Sequence, residues 1–198
     1  MQQTNGLFMN YRVLQQTWPN FSLQIQAFIK QLGLDDLALD CDHSALRVND
    51  MQSAQLLADE FSQHGEIISN NMINGRPILI IKLTRPLMLG TTPIECVELP
   101  FPSDKTYPIE GWEHVELVLP SNAKTCAELA NELITKVPQL AQVIAGKTAI
   151  KVKQSSPKGN NERLANPTIA FKANGICVKV HPHGIQKIID SEQTTTTC

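Results

Sequence analysis

Excess positive charge is absent from this chain. Its 17 Lys and Arg stand against 19 Asp and Glu, for a formal charge of -2 and a pI near 6.2, so the basic footprint of a general nucleic-acid-binding domain is missing. Long apolar runs are missing too: no stretch approaches the roughly 20 residues of a membrane span. The start, MQQTNGLFMNYRVLQQTW, lacks the charged opening and unbroken apolar run of a secretory signal. The expectation is a cytoplasmic protein with neither a membrane nor a nucleic-acid partner. Cys41, Cys96, Cys126, Cys177 and Cys198 form an odd set with no C-x-x-C pair, which argues against a disulfide framework and a zinc ribbon and fits free thiols in a reducing compartment. What remains is ordinary: 198 residues, 42% hydrophobic and 18% charged, enough for one large domain or two small modules sharing a core.

Periodicity organises the chain. Phe21, Ile25, Phe28, Ile29 and Leu32 recur at helical spacing before Gly33, which predicts an amphipathic helix over about 20–33. Then LDCDHSALRV reads as a strand, MQSAQLLADEFSQHG as a helix, and GEIISNN, RPILIIKL and IECVELP as three strands. The loop PFPSDKTYPIEG, at 100–111, interrupts the pattern. After it the order repeats: WEHVELVLP is a strand, TCAELANELITKV a helix with Thr125 and Glu128 at capping-box spacing, and TAIKVKQ, PTIAFKA and GICVKVHP are strands. HGIQKIIDSE closes as a short helix, and the polar tail SEQTTTTC is expected to fray.

Residues repeat as well as elements. DHSALRV beside EHVELVL aligns an acid, a histidine and a leucine, and RPILIIK beside NPTIAFK aligns a proline before Lys82 and Lys172. Two matches in the same order within the same β-α-β-β-β string indicate an internal repeat. The expected organisation is a helical lead-in at 1–34, a first βαβββ module at 35–100, a linker at 101–111, a second module at 112–182, and a short helix with its tail at 183–198. The fold class is α+β.

Strand parity assigns faces. Leu46 and Val48, Val97 and Leu99, Val115, Leu117 and Leu119, and Val178 and Val180 share an apolar face that the helices must cover. The opposite face takes His43, Arg47, Glu98, His114, Glu116, Lys179 and His181, together with Cys41, Cys96 and Cys177. Histidines and thiols favour partial burial over a solvated face. A curled sheet with a polar, concave cup accounts for both the polarity and the residue types.

The motifs DHSALR, NMINGRP, VELPFP, YPIEGWEHVELVLP, SSPKGNNERLANPT and VKVHP, spread over about 42–182, resemble the bacterial YecM family of metal-binding proteins. That family belongs to the vicinal-oxygen-chelate superfamily, in which glyoxalase-like members pair two βαβββ modules around a metal or ligand. The resemblance implies an eight-stranded mixed sheet with helices on its convex face. It also implies ligands on the first and last strand of each module, which fall on His43, Glu98 and His114. The fourth falls on Lys179 where a glutamate is expected, and His181, two residues on, is the candidate substitute. Such a set suits one divalent ion, Zn, Fe(II), Mn or Ni, acting as a Lewis acid in an isomerase or an oxidoreductase of the dioxygenase kind. Glu116 is then a partner of the histidine or a general base.

Arg47, Arg76, Lys82, Lys151, Lys153 and Lys179 share the inward face or its rim and call for a small anionic substrate. A lid is expected at QSSPKGNNERLANP, with Lys158 and Arg163. The rival reading is a metal-free binding or sequestering module on the same fold, with an ammonium–carboxylate pair in place of the ion. A monomer and a homodimer are both compatible, and the N-terminal helix alone speaks for a protein-interaction module.

Overall fold

The computed structural model describes residues 9–73, 75–156 and 164–193. Its elements run α1 (Tyr11–Leu32), a 3-10 turn (Asp35–Leu37), β1 (Asp40–Arg47), α2 (Met51–Phe61), β2 (Gly65–Ile73), β3 (Arg76–Leu89), β4 (Thr92–Pro100) and β5 (Gly111–Val118). There follow α3 (Cys126–Lys136), α4 (Leu140–Ile144), β6 (Lys151–Ser155), β7 (Thr168–Ala173), β8 (Ile176–His181) and α5 (Ile185–Gln193). Among the described residues no helix is long and apolar enough to cross a membrane. The tail and the middle of the expected lid, with Lys158 and Arg163, lie outside the described residues.

One mixed sheet carries all eight strands, in the order β2-β3-β4-β1-β5-β8-β7-β6. Read outward from the centre, the halves are 1-4-3-2 and 5-8-7-6. β1 pairs β4 in parallel, β5 pairs β8 in parallel, and β1 meets β5 antiparallel, so the repeat seen in the residues is a two-fold arrangement in space. The apolar face buries Val97, Ile81, Leu99, Val115, Phe171 and Val178 beneath helix residues Ile25, Phe28, Leu57, Phe61, Leu129, Leu133 and Leu140. Side chains of this size each contribute about 1.5–3 kcal/mol on full burial.

α1 begins two turns before the predicted start. Asn10 caps it by accepting the Val13 N–H at 2.9 Å, and Leu14 and Trp18 extend the buried stripe across Pro19. A proline forfeits one backbone hydrogen bond and crowds the preceding turn, but the indoles offset it: Trp18 Nε1–H donates to Met88 O at 3.0 Å and Trp112 Nε1–H donates to Leu14 O at 2.9 Å. Gly33, with φ of 72°, ends the helix in the left-handed region as predicted.

The concave face departs from simple parity in two places. Register shifts fall between Cys41 and His43 on β1, and opposite Ala45 and Leu46, where β5 skips from His114 to Trp112. Asp42 and Glu113 are therefore the extra residues of two bulges, each just before its strand histidine. A bulge reverses parity beyond it, which is why Cys41 lies in the main core rather than on the concave face expected for it. α5 lies on the concave side, where Ile185 and Ile189 pack against Ile78, Ile80 and Cys96 of β3 and β4.

Candidate metal centre

Register brings the histidines together. His43 is opposite Glu116 on β5 and beside Cys96 on β4, while Glu116 is opposite Lys179 and His114 is opposite Cys177 on β8. His43 and His114 are each 2% exposed and Glu116 is 7% exposed. His114 Nε2 stands 3.0 Å from Glu116 Oε1, and His43 Nε2 stands 3.5 Å from the same oxygen. One ligand atom from each of His43, His114 and Glu116 lies within 4.8 Å of the others, so this buried group can hold a metal ion.

The bulges explain the orientation of both rings. Bulged Asp42 shares a face with His43 and takes the Nδ1–H at 2.9 Å, and bulged Glu113 does the same for His114 at 3.1 Å. A carboxylate on Nδ1 fixes the tautomer and turns the Nε2 lone pair toward a cation. Sequence reading missed both acids as positioning groups, although they stand in the same frame of the repeat.

Each acid is itself held. His181 Nε2 lies 3.4 Å from Asp42 Oδ1, and the Ile185 N–H at the start of α5 donates to Asp42 Oδ2 at 2.5 Å. Glu113 meets the Arg47 guanidinium at 2.5 Å and Lys172 Nζ at 3.8 Å. Burial would raise Asp42, but His43 and His181 hold it well below the usual carboxylate range. Glu113 is likewise held low against burial, by His114 and Arg47. For His43, burial works downward, and Asp42 and then Glu116 overcome it and hold the imidazole well above its ordinary value. These carboxylates call for positive charge at the centre.

Lys179 supplies some of that charge. Its Nζ is 2.6 Å from Glu116 Oε1; burial opposes its charge, but Glu116 and Glu98 hold it above the ordinary lysine range. Glu116 is kept well below the carboxylate range against burial by Lys179 and His43. Even so, His43 Nε2 remains a buried nitrogen with no hydrogen-bond partner. That orphaned atom, two imidazoles and an ionised carboxylate form a donor set that fits Zn, Fe(II), Mn or Ni. Thiolate ligation is disfavoured, since burial pushes Cys177 up to about 11 and raises Cys96 as well.

The other candidates are placed unevenly. Glu98 Oε2 is 3.8 Å from His43 Nε2 and the side chain is 18% exposed, so it flanks the compact group that Glu116 completes. His181 Nδ1 is 3.7 Å from Glu116 Oε2 and accepts from Asn166 Nδ2 at 3.1 Å. Arg47 lies at one end of the cup, its guanidinium 4.8 Å from the centre of the Tyr107 ring. Arg76 donates to Phe101 O at 3.3 Å, and Lys82 is exposed beside Glu95 at 3.8 Å, so neither joins the centre. Lys151 and Lys153 are exposed on β6.

Comparison with known proteins follows the same lines. The model of the YecM protein family matches residues 10–192. Protein YecM of Escherichia coli (strain K12) is 40% identical over 181 residues, 89% of this chain and 90% of that protein. An uncharacterized protein of Haemophilus influenzae is 39% identical over 174 residues, 85% of this chain and 88% of its own length. A solved structure from structural genomics, protein EC4020, has a TM-score of 0.73 at 34% identity and covers 92% of both chains.

Proposed function

The chain belongs to the YecM family, and from that premise we propose that its cup binds one divalent cation through His43, His114 and Glu116. On this reading it is an isomerase or oxidoreductase of the vicinal-oxygen-chelate type, acting on a small anionic metabolite. The observation that carries the proposal is the pair of bulged acids, Asp42 and Glu113, each turning one histidine Nε2 toward the same carboxylate. When bound, the cation supplies Lewis acidity toward adjacent substrate oxygens.

The chain's own groups do the rest. Lys179 and Arg47 bring fixed positive charge to an anionic substrate at the mouth of the cup. Glu116, held low by its neighbours, stays ionised and serves as an anchor rather than a proton store. Glu98, more exposed and 3.8 Å from His43, is the carboxylate better placed to take up and return a substrate proton.

Elemental analysis of the purified chain tests this. About one divalent ion per chain is expected, falling to background in His114→Ala; unchanged metal content in that variant rejects the site. The close Lys179–Glu116 pair favours a second reading, a metal-free binding module, and carboxylate binding by chelator-treated protein with no turnover would select it.

A further inference from the structure

The two halves of the concave face are finished differently. On the first half α5 covers an apolar patch of Ile78, Ile80 and Cys96, and no residue of β6, β7 or β8 belongs to that cluster. On the second half, in-register partners set Lys153, Ala170, Lys179 and Glu116 in one row and Lys151, Lys172, Cys177 and His114 in the next. Residues opposite one another on paired strands share a face, so Lys151, Lys153, Lys172 and Lys179 all project to the side of the metal centre. No acidic residue occurs on β6, β7 or β8. Exposure rises away from the centre, from 25% at Lys179 and 42% at Lys172 to the exposed Lys151 and Lys153.

Lysines on a sheet edge also block strand addition. That role accounts for Lys151 and Lys153 on the outermost strand; on the interior strands Lys172 and Lys179 face Glu113 at 3.8 Å and Glu116 at 2.6 Å, which leaves the two rows with more ammonium groups than carboxylates. A ladder of ammonium groups running from the rim to the centre is instead a track for a substrate that is negative at its far end.

We propose that the lysine ladder of β6, β7 and β8 is a subsite for a phosphate group, and that the substrate is an organic phosphate whose other end reaches the metal centre. The position of that reacting end rests on the function proposed above; the phosphate subsite does not. Three strand spacings separate β5 from β6, about 14 Å along the sheet at about 4.8 Å each. The substrate is therefore longer than a two- or three-carbon acid. Lysine suits phosphate as a mobile point charge, and several together match a dianion better than a single carboxylate.

The test uses the full chain stripped of metal with a chelator, with inorganic phosphate, sulfate and acetate as probes at fixed physiological ionic strength, followed by calorimetry and phosphorus NMR. Saturable phosphate binding is expected, weaker for sulfate and absent for acetate, with affinity falling roughly tenfold in Lys151→Ala/Lys153→Ala. Lys124→Ala/Lys147→Ala makes the same charge change elsewhere and is expected to leave binding unchanged. No saturable phosphate binding, equal binding of acetate, or an equal loss in the control pair overturns the subsite. Phosphate binding by a protein that takes up no metal would reject the metal centre and leave the subsite standing, whereas metal uptake without phosphate binding would do the reverse.

Discussion

His43 and His114 stand at equivalent bends in the two halves, yet the acids behind them are held by different kinds of charge. Asp42 is fixed by a backbone N–H at the start of α5 and by His181, while Glu113 is fixed by Arg47 and Lys172. Each acid is also held by a residue of the opposite half: His181 is on β8 and Arg47 on β1. The repeat thus keeps the bulge, the acid and the direction of Nε2, and lets everything behind them differ. The carboxylate at the centre has moved as well: the first half has Ala45 on β1 and Glu98 on β4, and the second has Glu116 on β5 and Lys179 on β8. The centre belongs to neither half alone.

Removing what the halves share should have the largest effect. Glu116→Ala takes away the common acceptor and leaves Lys179 and His43 with only the more exposed Glu98, 3.8 Å from His43, to offset their charge. Uncompensated charge of this kind costs roughly 3 kcal/mol, and urea unfolding of chelator-treated protein should show it, together with loss of bound metal. Glu116→Ala/Lys179→Met should recover much of the stability but none of the metal. A Glu116→Ala protein as stable as the parent would mean that the pair does not balance buried charge.

The next largest effect separates the two acids. Asp42→Asn and Glu113→Gln should each weaken zinc binding by about 10–100-fold in competition with a chromophoric chelator. Raising the salt should narrow the gap between Glu113→Gln and the parent more than the gap for Asp42→Asn. The Arg47 and Lys172 side chains, 23% and 42% exposed, are open to screening, and a backbone N–H is not. Equal salt dependence would erase the distinction drawn between the two clamps.

Much of this was legible in the residues. The order of elements, the repeat, the histidine pair and the apolar face follow from patterns that sheet packing enforces along whole strands. The bulges were not legible, because a period of two has no way to register one extra residue; hence Asp42 and Glu113 were not seen as positioning groups and Cys41 was expected on the wrong face. The resemblance drew attention to Glu98, whereas Glu116 completes the compact group because the β1–β5 register sets it opposite His43. Pro19 hid the first turns of α1, whose stability comes from two tryptophans anchored to distant carbonyls. The helix at the C-terminus could be predicted, but the face it covers is chosen by Ile78 and Ile80, far from it in sequence.

Acid should expose the same contrast with a smaller signal. Asp42 and Glu113 have folded-state values below their ordinary 3.8 and 4.5, so the stability they contribute is present above those values and is lost as the pH falls through the lower, folded ones. His43 is raised from 6.5, so its contribution is full below that pH and is lost as the pH rises through its folded value. Chelator-treated protein should therefore be most stable between the two limits. Glu113→Gln should flatten the acid limb, and His43→Gln the alkaline one. Unchanged limbs in both variants would show that these pairs are balanced in the unfolded chain.

The smallest predicted effect lies away from the centre, in the helix that follows the first strand of each half. α2 is capped by Asp50, which accepts the Ser53 N–H at 2.8 Å and its hydroxyl at 2.6 Å. Thr125 caps α3 by accepting the Glu128 N–H at 3.2 Å, and Glu128 returns the contact to the Thr125 N–H at 3.2 Å. Asp50→Ala and Thr125→Ala should each cost about 1 kcal/mol in urea unfolding and leave zinc affinity unchanged. The Asp50 variant should lose more at neutral pH, since a charged cap also meets the positive end of its helix, and the excess should vanish in acid. If Thr125→Ala proves the more costly, the reciprocal box outweighs the charge, and the two halves differ in their helix starts for a reason unrelated to the charges around the candidate metal centre.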